Sequence, residues 1–450
     1  METPRISVLM VNYNQEDLIA QSIECVLNQT YRNLQFLIVD DGSTDSSPEI
    51  IRRYAQKDDR IEYYPMEKNM HISYATNYGF SKVKGEYLAR IDSDDLWDLQ
   101  KLERQLAYME KTAGCQICFT GTDLIDEYGN SINEMENVRF LYELLNQPNM
   151  SQEELLRFFF TEGNRFTHSS VLMKTSVMKE TGGFRLAYRQ LHDFDYWVRI
   201  VKRYPLYLLE EPLTKLRRFV HTDKKNTSSQ SETDTIRFYN EYMMIRETFF
   251  DDLEPSLFRS AFGGSFRKKD AASPEELECE KAFLLLDGFS IGGRRQPILG
   301  LRRLAGLFEK EQTADVLIRT YHYTPVDYYK DNGNSLFYDP FTQDAVFNIR
   351  KIAADNESLL ADNQKLLSDN NQLAQWNHTL AGDNQILLEN KQRLEADNRR
   401  LEEQNAALAA QAEQLSQNLK YAEASLDTVI NSTCWKMTSP VRKVLDKIKH

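Results

Sequence analysis

Cysteine is scarce, five residues in 450. An odd, low count suits a reducing compartment better than a disulfide framework. Cys115 and Cys118 form the one close pair. They lie in an apolar run with Ile117 and Phe119 that reads as a strand, and a second ligand pair is missing, so structural thiols are favoured over a zinc site. Excess positive charge is missing too. The formal net charge of -13 disfavours a general nucleic-acid-binding role, which needs cations against phosphate. No apolar run approaches the length of a membrane-crossing helix, and the run at residues 282–286 falls far short. The apolar residues 6–11 are too few for a signal-peptide core and lead straight into Asn12, Tyr13 and Asn14. These absences predict a soluble or peripheral protein, cytoplasmic or on the inner face of the cell membrane. The length allows two or three domains.

What is present begins with alternation of strand and helix. Apolar runs at residues 6–11, 35–39, 60–64, 87–91 and 116–120 read as strands. Helical stripes lie between them at 15–28, 44–56, 74–83 and 99–111. Ser43 or Thr44 is the expected cap of the second helix, with Pro48 in its first turn. This order predicts an α/β fold with a parallel sheet and right-handed crossovers. Further on, the pattern predicts a turn at 126–130, a helix over 144–160, a strand at 168–173 and a turn at Gly182-Gly183-Phe184. A helix over 193–204 and short strands at 206–209 and 213–219 follow. Residues 224–235 are polar and rich in Ser and Thr, which predicts a mobile loop. Residues 236–347 read as mostly helical.

The most regular stretch follows. Ile352, Leu359, Leu366 and each seventh residue onward to Leu415 are apolar. With these at position d, position a carries Asn356, Asn363, Asn370, Asn377, Asn384, Asn398 and Asn405. Asparagine at a pairs across a parallel dimer and sets its register. A parallel, dimeric coiled coil over residues 348–424 is expected, with a rod roughly 110 Å long. Residues 425–450 end in a basic amphipathic pattern: Val441, Val444, Leu445 and Ile448 share one face among Lys436, Arg442, Lys443, Lys447 and Lys449. Such a segment can lie on an anionic membrane. The alternative is a solubilising end or a cap on the dimer.

Two acidic clusters carry the chemistry. Asp40 and Asp41 follow the apolar residues 37–39, and Asp92, Asp94 and Asp95 follow the residues 87–91. Strands that end in carboxylates deliver charge to the carboxyl edge of a parallel sheet, where open α/β folds bind ligands. Converging carboxylates repel unless a cation or ligand donors offset them. An Asp-x-Asp of hard oxygen donors suits Mg²⁺ or Mn²⁺ held partly through substrate phosphates.

Residues 1–125 resemble the donor half of a family 2 glycosyltransferase with a GT-A, Rossmann-like nucleotide-sugar fold. The matching residues are 6–14, 22–31, 39–45, Asn77-Tyr78-Gly79, 84–88 and 92–97. The resemblance implies transfer of a sugar from a nucleotide diphosphate donor with inversion, onto a glycan or lipid-linked acceptor in surface polysaccharide biosynthesis. It places the nucleobase near Val11, Tyr13 and Asp41. It places ribose and metal at Asp92 and Asp94, with Asp94 the direct metal ligand and Asp95 read as holding the loop. Residues 126–235 resemble the acceptor half. Gly182-Gly183-Phe184 followed by residues 191–199 makes Asp193 the general base, with a helix-cap role for it and a base role for Asp195 as alternatives. Arg218 and His221 are matched to phosphate contacts, and an ordinary strand-end histidine is the alternative for His221. His192, His71 and Thr76 depart from the family pattern, standing where glutamate, glycine and arginine are common. The tail from Trp435 to Arg442 is similar to a segment found after coiled coils in some bacterial surface-polysaccharide glycosyltransferases. Two other classes compete. A non-catalytic coiled-coil scaffold would carry a degenerate sugar-binding domain. A nucleotidyltransferase would show a glycine-rich basic loop where Asn12, Tyr13, Asn14, Gln15 and Glu16 stand.

Overall fold

Residues Ile6–Asn12 form strand β1, and every one is buried. Alternate side chains serve two different cores: Leu9 and Val11 enter one, Ile6, Val8 and Met10 the other. An unbroken apolar run is what a strand covered on both faces requires. In the computed structural model, residues 4–222, 232–288, 290–291, 294–334, 340–379 and 384–431 are described. After β1 come α1 (Ile19–Leu27), β2 (Leu34–Asp40), α2 (Ser47–Ala55), β3 (Ile61–Pro65), α3 (His71–Phe80), β4 (Tyr87–Asp92) and β5 (Leu96–Trp97). The chain continues through α4 (Lys101–Lys111), β6 (Ile117–Ile125), α5 (Glu136–Leu145), α6 (Gln152–Thr161), β7 (Leu172–Lys174), α7 (Thr175–Thr181), α8 (His192–Val201) and β8 (Tyr207–Arg217).

The sheet runs β3-β2-β1-β4-β7-β6-β8-β5. Strands β3, β2, β1 and β4 are mutually parallel, as the βα alternation predicts. The sheet as a whole is mixed, because β7 runs antiparallel to both β4 and β6, and β5 antiparallel to β8. Helices α1, α2 and α4 cover one face; α3, α6 and α8 cover the other.

Several local expectations shift. Helix α2 starts at Ser47, and Ser43 turns its hydroxyl to Asp40 Oδ1 at 2.5 Å in place of capping it. The single helix expected over 144–160 is two. Asn146 ends α5 by bonding the backbone N–H and C=O of Thr122, and α6 restarts at a capping box of Ser151 and Glu154. Residues His168–Ser170 form one 3₁₀ turn before β7. The short strands at 206–209 and 213–219 are one strand, β8. Its register shifts beside Gly121, where a Cβ would stand 2.8 Å from Glu210 O.

Beyond residue 231, helices α9 (Glu232–Glu247), α10 (Pro255–Phe262) and α11 (Pro274–Asp287) add Tyr242, Ile245, Phe258, Phe262 and Leu284 to the core already containing α6 and α8. A two-residue β-hairpin (Ser290–Ile291 with Arg294–Arg295) precedes α12 (Ile298–Phe308), α13 (Glu311–Arg319) and α14 (Pro325–Gly333). Buried residues of α11, α12 and α13 make a further small core.

A second unit comprises α15 (Pro340–Thr379) and α16 (Asn384–Asn431). The d residues Ile352, Leu359, Leu366, Leu394, Leu401, Leu408 and Leu415 are half-buried by their own helices, and Asn356, Asn363, Asn370, Asn398 and Asn405 are exposed. Part of the loop expected at 224–235 (residues 224–231) and the basic tail beyond residue 431 lie outside the described residues.

Candidate active site

The first acidic cluster is held by its own neighbourhood. Asp40 is 2 % exposed. Its Oδ1 accepts Asn12 Nδ2 at 2.8 Å and Ser43 Oγ at 2.5 Å, tying the ends of β1 and β2 together. Gly42 has φ +72, and a Cβ there would meet the Lys68 backbone at 2.6 Å, so glycine is required by both conformation and space. Asp41 accepts Met70 N at 2.7 Å, which fixes the start of α3. Burial pushes the Asp41 carboxyl up, against the Met70 and His71 N–H groups. Across the sheet Val11 pairs with Val39 on one side and Asp92 on the other. Tyr13, just past β1, is 44 % exposed.

The second cluster is crowded. Carboxylate oxygens of Asp92, Asp94 and Asp95 lie within 4.8 Å of one another. Asp95 is braced on both oxygens: Oδ2 accepts Ser169 Oγ at 2.5 Å, and Oδ1 accepts Arg217 N at 2.9 Å. These bonds tie it to the 3₁₀ turn before β7 and to the end of β8. Burial opposes ionisation of Asp92, but His168 and Arg90 outweigh it and hold that carboxyl well below the usual range. Asp94 goes the other way. Burial and the charge of Asp92 push it up to about 6.

The residues that tie the cluster together are not among those matched to site roles in the sequence. Arg90 is buried, with Nη2 3.3 Å from Asp92 Oδ1. Arg217 donates from Nε to Asp94 O at 2.7 Å and from its other nitrogens to Asp126 O, Glu127 O and Gln21 Oε1. Ser169 Oγ also accepts Asp92 N, and Ser169 O accepts Trp97 Nε1 at 2.7 Å. His168 Nε2 contacts Asp92 Oδ2, and its Nδ1 lies 3.8 Å from Asp193 Oδ2. The one available signal was a polar His168-Ser169-Ser170 placed directly before an apolar strand.

Asp193 sits in the first turn of α8. Its Oδ1 accepts Phe194 N at 2.7 Å and its Oδ2 accepts Asn164 Nδ2 at 3.1 Å. His168 therefore stands between two carboxylates, Asp92 and Asp193. Asp195 is unsuited to be a base: its oxygens meet Arg185 at 3.2 Å and Arg199 at 3.0 Å, and its side chain is 3 % exposed. His192 packs 5.4 Å from the His168 ring, and burial lowers it to about 4. The Arg218 guanidinium feels the charges of Asp95 and Asp94, which puts it near the cluster. His221 instead faces Asp126 at 3.8 Å and stacks on Tyr128.

The donor set fits a hard divalent cation. The ligands would be oxygens only, clustered where burial and the charge of Asp92 push the Asp94 carboxyl up. Asp94 and Asp92 would hold the ion, and Asp95 is committed to Ser169 and Arg217.

Glycosyl transferase family 2 matches residues 7–180. "Putative glycosyltransferase EpsE" of Bacillus subtilis is 31% identical over 240 residues, which is 52% of this chain and 81% of the relative. "O-antigen biosynthesis glycosyltransferase WbnJ" of Escherichia coli is 30% identical over 202 residues, 44% of this chain and 73% of the relative. Among solved structures, S. aureus TarS 1-349 in complex with UDP shares 14% identity with a TM-score of 0.45, covering 73% of this chain and 88% of that one. The mixed sheet, parallel on the β1 side and reversed at β7, is a GT-A-like arrangement, with carboxylates at the ends of β2 and β4. The sequence match over most of a relative's length and this placement of acids agree: the chain is a glycosyltransferase and belongs to family 2.

Proposed function

We propose that the chain is an inverting, metal-dependent glycosyltransferase that moves a sugar from a nucleotide diphosphate to a glycan or lipid-linked acceptor in surface polysaccharide biosynthesis. The observation that carries this reading is the span Asp92–His168–Asp193, which sets a donor-side carboxylate and a candidate base on opposite sides of one imidazole. In this reading Val11, Tyr13 and Asp41 receive the nucleoside. Asp92 meets the ribose and Arg218 meets phosphate, while His221, turned to Asp126, is left the role of an ordinary strand-end histidine. Asp193 removes the proton of the acceptor hydroxyl, whose oxygen bonds the anomeric carbon as the bond to the nucleotide breaks on the other face. Bound Mn²⁺ or Mg²⁺ at Asp94 and Asp92 supplies charge neutralisation for the departing diphosphate. The roster of relatives supports the polysaccharide assignment through WbnJ, named for O-antigen biosynthesis.

The rod at 348–424 is assigned to a parallel homodimer, since its half-buried d leucines alternate with exposed a asparagines on otherwise solvated helices. The tail at 425–450 is assigned to peripheral contact with the inner membrane face. Among the described residues no helix is long and apolar enough to cross a membrane.

The test is a panel of UDP-glucose, UDP-galactose, UDP-N-acetylglucosamine and GDP-mannose with Mn²⁺, read by thermal shift and by release of nucleoside diphosphate. At least one donor raises the melting temperature and is turned over. Absence of binding across the panel favours a non-catalytic scaffold. Light scattering of the full chain returns twice the mass of 52.6 kDa; a monomer removes the dimer.

A further inference from the structure

The segment between α6 and β7 binds both halves of the site. It leaves α6 through Gly163, at φ +103, a conformation that suits glycine. Arg165, 1 % exposed, anchors it by donating from Nη1 to Pro148 O at 2.9 Å and from Nη2 to Gln147 O. Phe166 stacks on Phe119, with centroids 4.0 Å apart and planes at 10°. Between these anchors the side chain of Asn164 is used at both ends. Its Oδ1 accepts Phe166 N at 3.0 Å, closing a local turn, and its Nδ2 donates to Asp193 Oδ2 at 3.1 Å.

The second of those bonds has consequences for chemistry. Asp193 Oδ1 is held by Phe194 N at 2.7 Å, so Asn164 and Phe194 between them set the plane of the carboxylate. His168 Nδ1 approaches the same Oδ2 only to 3.8 Å, too far for a hydrogen bond. A general base must present its oxygen within about 2.6–3.2 Å of the hydroxyl it deprotonates. Misplacing a reacting group by roughly 1 Å can cost about 100-fold. We propose that Asn164 is a positioning residue, which orients Asp193 for proton abstraction through Nδ2 without touching the donor. This rests on the reading of Asp193 as the base.

Asn164→Asp separates positioning from structure. The new carboxylate keeps an oxygen for Phe166 N, so the turn survives. It replaces the donating amide with an oxygen that repels Asp193. The assay uses the full chain with Mn²⁺ and whichever donor of the four-member panel is turned over fastest, water acting as acceptor. Asn164→Asp lowers kcat by about 10- to 100-fold and leaves the donor KM within about twofold of the parent. Asn164→Ala lowers kcat as well and also lowers the melting temperature. Parent-level kcat in Asn164→Asp overturns the proposal, and so does an effect confined to donor KM. Asp193→Asn is run alongside. If it keeps the parent rate, the base assignment itself fails; if it is inactive while Asn164→Asp is not slowed, the positioning role alone fails. Melting temperatures guard against a folding defect. The double variant Asn164→Asp with Asp193→Asn reverses donor and acceptor and removes the repulsion, so its melting temperature lies at or above that of Asn164→Asp; a lower one shows that the contact is not made and overturns the proposal.

Discussion

The acidic clusters at the ends of β2 and β4 look alike in sequence and differ in how their charge is met. Asp40 has its Oδ1 taken by Asn12 and Ser43, and Asp41 is met by backbone N–H groups at the start of α3. The protein closes that cluster with its own donors. At β4, Asp92 is held low by His168 and Arg90, whereas burial and the neighbouring carboxylates push up both Asp94, to about 6, and Asp95, the latter despite its bonds from Ser169 and Arg217. Two carboxyls pushed up side by side distinguish this cluster from the first. Natural folds tolerate such local cost at functional sites.

The largest expected effect comes from Asp94. Asp94→Ala lowers nucleoside diphosphate release by about 100- to 1,000-fold, while metal-free stability at pH 7.5 holds or rises by about 1 kcal/mol as repulsion is relieved. Full turnover in that variant would erase the distinction between the clusters. The next effect is on pH. His192 beside the second site takes its proton at about 4 in the folded chain against 6.5 unfolded, so between those values the unfolded chain binds more protons. The contribution is present above pH 6.5 and is lost as pH falls toward 4, about 3 kcal/mol in all. Denaturant titrations of the parent and His192→Gln at each pH therefore converge in acid-induced slope only if His192 is not responsible. Asp40→Ala acts on folding instead, costing about 2 kcal/mol by orphaning Asn12 and Ser43, as measured by urea midpoint. The smallest effect is metal-linked. Millimolar Mn²⁺ raises the melting temperature by about 2–5 °C in the parent and in Asp40→Asn, and by nothing in Asp94→Asn. Equal shifts in all three proteins would place the ion elsewhere.

How much was legible before folding differs between parts of the site. Asp40, Asp41, Asp92 and Asp94 stand in a local pattern, a strand followed by acids, while Val11 and Asp193 are reached through the resemblance to the family. Arg90, Asn164, His168, Ser169 and Arg217 have no such pattern. Arg217 lies 123 positions from Asp94 and Asn164 lies 29 from Asp193, and each acts across a gap that only packing closes. The misread strands have the same origin. Residues 168–173 have strand-like apolarity, but the polar His168 and Ser169 are claimed by Asp92 and Asp95, so the chain turns there before β7.

The alternation of strand and helix, the seven-residue repeat and the acids that end strands are legible in the chain itself, because these depend on neighbours within a few residues. Only the tertiary structure decided that β7 runs backward between β4 and β6, and that its preceding turn carries the groups that bridge Asp92 to Asp193. Strand direction at that point follows from which partners bury Leu172 and Met173, and burial is a property of the whole fold. So is the upward shift of the Asp94 carboxyl, caused by burial and by Asp92, which sets this Asp-x-Asp apart from an ordinary acidic loop.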